Sequence, residues 1–201
     1  MVSTKKYNGA LTAEQFLFYE IRIVAKFFLE GKTLEEIIAV IQEENLFQYP
    51  TEREVSRLTR ACYKRLLALD NKTLVYELAH APTDVAKQIN LYAMMRYNDL
   101  VKEFMINVIG EKYRQHDFTF TRKDINSFFL RLEEQNDTVA SWSDKTIGKL
   151  KQVLVKSMIE TEILDSYKST QLNPLFISSE LENGIRENLD TMALPAFNCF
   201  K

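Results

Sequence analysis

Residues 51–69 carry two helical periods at once, and this constrains the fold more than any other feature of the chain. Arg53, Arg57, Arg60 and Lys64 recur at i, i+4, i+7 and i+11. At about 100° per residue they stay within roughly 60° of arc, one above another. Val55, Leu58, Cys62, Leu66 and Leu69 recur on the opposite side. Such a segment is a helix with one face for a core and one cationic face for something anionic. The layout repeats further on, where Lys145, Lys149, Gln152 and Lys156 oppose Ile147, Leu150, Leu154 and Met158. Two such helices point to nucleic acid.

The rest of the chain supports helices. Helix breakers are scarce, with 5 glycines and 4 prolines in 201 residues. The 46% apolar content is ample for a core, in one large domain or two small ones. Net charge is −2, so there is no global positive field, which counts against a histone-like or purely electrostatic coat protein. Charge is segregated instead. Residues 51–69 hold Arg53, Arg57, Arg60, Lys64 and Arg65 against Glu52 and Glu54, and residues 143–158 hold four lysines against Asp144. Acids gather at Glu35, Glu36, Glu43 and Glu44 and in the last forty residues.

Capping boxes mark the helix starts. Thr12 with Gln15 predicts a helix to about Glu30, with Gly31 as its stop. Thr33 with Glu36 predicts a second to Glu44, and Thr51 with Glu54 a third to Leu69. Two helices, a short turn over 45–50 and a basic helix follow the order of a helix-turn-helix. The alternative is a plain three-helix bundle with a solvated last face. Residues 72–115 predict three scaffold helices broken at Ala81-Pro82 and near Tyr97-Asn98, with Met94 and Met95 as core rather than ligand pocket. A helix over 121–135, a polar turn over 136–141 and a basic helix from Ser143 to Glu160 follow, with Trp142 and Ile147 at hydrophobic-staple positions. Residues 163–167 and 172–177 predict a short β-hairpin with Lys168 at its tip, giving the order of a winged helix. A last helix is expected over 179–189, capped by Ser179 and Glu182, with tail from Leu194. The expected units are residues 1–70, helix-turn-helix-like; 71–117, a central helical scaffold; and 118–201, winged-helix-like with tail.

Enzymatic chemistry has no obvious seat. His80 ends a helix and His116 lies in a polar loop, neither with a Cys or acid at metal spacing. There is no glycine-rich phosphate loop, and Glu35-Glu36 and Glu133-Glu134 diverge on their helices. Glu20, inside an apolar stretch, is expected to pair with Lys26 or an arginine of the third helix. Cys62 reads as a buried small hydrophobe and Cys199 as part of the tail, so no metal, cofactor or disulfide framework is expected. Met1–Ala10 is polar, without the apolar core of a signal peptide, and Phe16–Leu29 is interrupted by Glu20, Arg22 and Lys26. A reducing cytoplasm is the expected location.

Several segments resemble the BrxA family of BREX bacteriophage-defence systems. They are Ala13–Leu29 with Glu43-Glu44-Asn45-Leu46-Phe47-Gln48, the Arg65-Leu66 pair, Phe104, Glu111-Lys112, and Trp142-Ser143-Asp144-Lys145-Thr146-Ile147-Gly148-Lys149-Leu150. The last is the most specific, and the resemblance spans about residues 10 to 190. It implies a small, cytoplasmic, mostly helical DNA-binding protein without enzymatic activity, working beside a methyltransferase and large ATPase-type partners. The inner-membrane label sometimes given to the family does not fit this chain.

The candidate contacts to double-stranded DNA are Arg53, Arg57, Arg60 and Lys64 on one helix, Lys145, Thr146, Lys149, Gln152 and Lys156 on the other, and Lys168 on the wing. Lysines mostly position a protein on phosphates, so modest sequence preference is expected. A protein-interaction adaptor within the defence complex and an RNA-binding helical protein are the alternatives.

Overall fold

The computed structural model describes residues 7–200 of the chain. Residues 1–6, which hold part of the polar Met1–Ala10 opening, lie outside the description, as does Lys201. The described chain is helical almost throughout. α1 is Phe18–Leu29, α2 Leu34–Glu43, α3 Glu52–Leu69, α4 Lys72–His80 and α5 Thr83–Tyr97. α6, Asp99–Phe104, runs through a π-helical turn, Met105–Gly110, into α7, Glu111–Arg114. α8 is Arg122–Gln135, α9 Asp137–Ala140, α10 Asp144–Glu160 and α11 Ser179–Glu187. Short 3₁₀ segments at Gly9–Thr12 and Thr191–Phe197 lie near the two ends.

The capping signals act where side-chain oxygens reach free backbone donors. Thr33 and Glu36 form a full capping box on α2, and Thr51 Oγ1 accepts from the Glu54 amide at the start of α3. Ser143 does the same for α10 through Thr146, and Gly31 ends α1 at φ 80°. The breaks at Ala81-Pro82 and Asn98 fall as expected.

The start of the first helix is corrected. Residues 12–17 are not α-helical: α1 begins at Phe18, after Leu17 in the left-handed region at φ 51°. The cause lies on other elements. The main-chain oxygens of Ala13, Glu14, Gln15 and Phe16 are taken by side chains from α3 and α5, so the segment is drawn out as a strap. The polar turn over 136–141 contains the short α9. At α11 the cap is Ser178, accepting from the Leu181 amide, while Glu182 pairs with Arg186.

The hairpin over 163–177 does not form as strands among the described residues. Thr119 and Gln171 make an isolated antiparallel bridge instead. The Phe120 amide donates to the Thr170 carbonyl (2.9 Å), and the Leu172 amide to that of Phe118 (2.7 Å). Asn173 then closes the 163–173 loop on itself, from its amide to the Ile163 carbonyl and from Nδ2 to the Glu162 carbonyl and Asp165 carboxylate.

One continuous apolar cluster reaches from Tyr7 to Cys199 and joins every part of the chain. Met94 and Met95 are core, as are Tyr92, Phe104 and Phe128. The stretch from Leu194 expected to be tail is core too: Ala193–Phe197 is buried against the Gly110 turn. Asp190 anchors it, accepting from Lys102 Nζ (2.9 Å) and lying 3.9 Å from Arg96. No described helix is long and apolar enough to cross a membrane.

Candidate nucleic-acid interface

On α3 the two periods separate as the spacing demands. Val55, Leu58, Cys62, Leu66 and Leu69 are buried, and Arg53, Arg57, Arg60 and Lys64 are exposed. The four cations line an open hollow of about 740 Å³ along the helix. Arg53, Arg60 and Lys64 make no ion pair with another described residue. Arg57 differs: Nη1 donates to the Ala13 carbonyl (2.9 Å), and Nη2 reaches the Glu54 carboxylate at 3.5 Å. Its charge is thus partly spent on the strap and on an acid one turn away.

Arg65, counted with the basic residues of this segment, is 1% exposed and belongs to no surface. Its guanidinium donates to the carbonyls of Phe16 (3.1 Å), Gln15 (2.7 Å) and Glu14, while Nε is unpartnered. Asn90 Nδ2 donates to the same Phe16 carbonyl (2.7 Å). Burial pulls the Arg65 pKa down and pushes the neighbouring Cys62 thiol up to about 12. Cys62 is therefore an inert small hydrophobe, as the sequence suggests.

On α10 the apolar residues Ile147, Leu150, Leu154 and Met158 face inward. Lys145 and Gln152 are exposed, and Lys149 and Lys156 half-buried. Lys145 and Lys149 have no ion-pair partner among the described residues, and Lys156 Nζ lies 3.5 Å from Gln15 Oε1 on the strap. Thr146 is occupied with its cap, its Oγ1 3.0 Å from Ser143 Oγ. Lys168 is exposed in the 163–173 loop, also without an ion pair among the described residues.

The strap puts the two ridges beside one another, which neither ridge signals by itself. It touches α3 through Arg57 and Arg65 and α10 through Lys156. Arg57 and Lys156 line one cleft of about 460 Å³ with strap residues 12–17. Upstream of the strap, the Tyr7 hydroxyl donates to Glu103 (2.5 Å).

The other candidate groups resolve simply. Glu20 accepts from the Tyr49 hydroxyl (2.8 Å), not from Lys26 or an α3 arginine. Burial, with the Glu20 bond, pushes Tyr49 up to about 12. His80 is exposed, its Nδ1 3.0 Å from the Tyr76 carbonyl, and His116 is exposed at φ 55°. No cluster of three metal-ligating residues occurs among the described residues.

These features define a helical protein that turns two cationic helix faces to solvent from one shared core. The chain belongs to the BrxA family of BREX phage-defence systems, whose sequence profile matches residues 5–189. It is 32% identical to a BREX protein BrxA of Bacillus cereus over 171 residues, 85% of each chain. It is 24% identical to one of Paramagnetospirillum magneticum, over 91% of this chain and 92% of the relative. A crystal structure of an uncharacterized protein from Magnetospirillum magneticum shares the fold, with a TM-score of 0.81 at 22% identity over 95% of this chain and 97% of that one.

Proposed function

We propose that this chain is a non-enzymatic, cytoplasmic DNA-binding component of its BREX system. It holds duplex DNA mainly by phosphate contacts from α3 and α10. One observation supports this above the rest: Arg53, Arg60 and Lys64 on α3 and Lys145 and Lys149 on α10 have no ion-pair partner among the described residues, although the chain carries a net negative charge. Among the described residues, the one carboxylate that pairs with a ridge cation is Glu54, at Arg57.

Local geometry supports the same reading. Gly148 lies beside Lys145, Lys149 and Gln152, and a Cβ there would meet nothing within 4 Å. Helix α10 is left bare where a sugar-phosphate backbone would approach most closely. In this reading α2 and α3 act as a helix-turn-helix-like unit within residues 1–70. Residues 71–117 are scaffold, and residues 118–201 form a winged-helix-like unit. The Thr119–Gln171 bridge and the 163–173 loop take the place of a wing, with Lys168 at its outer end. About six phosphate contacts give log K against log salt a slope near −5.

Arg60→Glu and Lys149→Glu test the reading, because neither side chain holds the strap. Duplex affinity in a salt titration is expected to fall for each, with a shallower salt slope. Unchanged affinity in both would remove the proposal. A second reading, an adaptor for other BREX proteins, draws on Leu189 and Met192, which are 89% and 67% exposed near the C-terminal segment. A pull-down of cognate BREX proteins with Leu189→Glu separates the two, since only an adaptor loses partners. Competition by RNA at matched salt separates duplex DNA from structured RNA.

A further inference from the structure

A second groove lies on the other flank of α10, away from the strap. It encloses about 770 Å³ between α8, α10 and the 163–173 loop, within the range of roughly 300–1,000 Å³ typical of ligand sites. Its floor is apolar, made by Phe120, Ile125, Val155 and Leu164. Its ionisable rim is cationic, with Arg122, Lys151 and Lys168, and no carboxylate lines it. Tyr167 stands at the groove and is 63% exposed.

The walls are fixed before any ligand arrives. Lys151 Nζ donates to Asn126 Oδ1 (2.9 Å) and sits 5.3 Å over the Phe129 ring. Asn173 and the Thr119–Gln171 bridge hold the loop that carries Tyr167 and Lys168. An apolar floor, an accessible aromatic ring and cations without acids suit a ligand that is flat and apolar in one part and anionic in another. Asn126, Gln152 and Thr170 add donors and acceptors along the edge. Unpaired nucleotides have this chemistry, and single-strand binding sites combine these parts: a stacking ring and a cationic path for the backbone. A paired base in a duplex cannot enter such a groove.

We propose that this groove binds an unpaired segment of single-stranded DNA. One base stacks on Tyr167 over the apolar floor, and the flanking phosphates lie against Arg122, Lys151 and Lys168. The groove adjoins the α10 ridge at Gln152, so a strand leaving a duplex on that ridge can run directly into it. The groove chemistry selects unpaired nucleotides whether or not the ridges bind duplex.

The test uses the full chain and a short labelled oligothymidylate, read by fluorescence anisotropy, beside a blunt duplex of matched length. Tyr167→Ala is expected to weaken oligothymidylate binding by roughly five- to a hundredfold, the usual effect of losing one stacked base, and to leave the blunt duplex unaffected. Val155→Trp, which fills the floor, is expected to do the same. Tyr167→Ala alters an exposed side chain, so it carries the test if Val155→Trp fails to fold. An oligothymidylate carrying 5-iodouracil is expected to photo-crosslink to the peptide containing Tyr167. No binding of oligothymidylate, binding indifferent to Tyr167→Ala, or a crosslink elsewhere overturns the proposal. So does displacement of bound oligothymidylate by polyglutamate but not by unlabelled oligothymidylate. Normal duplex binding in any of these cases leaves the two ridges untouched.

Discussion

Arg65 matters to this protein as a donor rather than as a charge. It serves three main-chain oxygens of the strap, and no described carboxylate pairs with it. Arg65→Ala leaves the Glu14 and Gln15 carbonyls without their donor and the Phe16 carbonyl with Asn90 alone, and opens a hole in the core, which costs about 3 kcal/mol and is read as a lower midpoint in urea unfolding. Arg65→Lys is expected to recover little, because one ammonium cannot replace a planar fork. Lys112 is a second organising residue, bridging Asp117 (2.8 Å) and Asp124 (3.1 Å). The Lys112 bond holds the Asp117 carboxyl well below its usual range. At Asp124 burial works upward but is outweighed by bonds from Thr121 and Lys112. Carboxyls depressed in the folded state contribute stability above their unfolded pKa of about 4 and lose it as pH falls toward the folded value. The stability gap between wild type and Lys112→Met is therefore expected to be widest above about pH 5 and to close in acid, as measured by denaturation across that range.

Two glycines in helical segments give opposite predictions at the scale of the element. At Gly110 a Cβ would lie 3.0 Å from the Ala196 nitrogen and 3.1 Å from Pro195. Gly110→Val forces the 3₁₀ segment off the π-helical turn, and overpacking of that kind costs ~1–3 kcal/mol. At Gly148 there is open space, so Gly148→Ala is expected to raise thermal stability by up to about 1 kcal/mol. The same substitution is expected to weaken duplex binding if DNA approaches α10 there. Helix existence and most caps were legible because they depend on local spacing: the Thr33–Glu36 box and the two-sided pattern of α3 need no distant partner. Residues 12–17 were not, because the Thr12–Gln15 pattern competes with donors 44 to 74 residues away. Arg65 was half legible. At about 100° per residue it falls between Leu58 and Ala61, on the inward side of α3, although its charge suggests solvent. The pairing of Gln171 with Thr119 had no local signal at all.

For the whole molecule, one core unites segments that read as separate. The 3₁₀ segment Thr191–Phe197 buries Ala193, Leu194, Ala196 and Phe197. Truncation before Thr191 is expected to abolish the cooperative melt followed by circular dichroism. Burying Phe197 and Leu194 alone is worth about 3–6 kcal/mol, against a typical total stability of about 5–15 kcal/mol. Both ridges were legible as faces, since each is a property of its own helix. Their adjacency was not, because it is set by the strap that lies between them. That seam has a consequence for how the chain can diverge. Arg65 and Asn90 grip main-chain oxygens, which every residue type possesses. Positions 13 and 14 are therefore free to change identity in descendants of this chain while the seam stays shut, whereas Gln15 also meets Lys156 through its side chain, and only a guanidinium can do what Arg65 does.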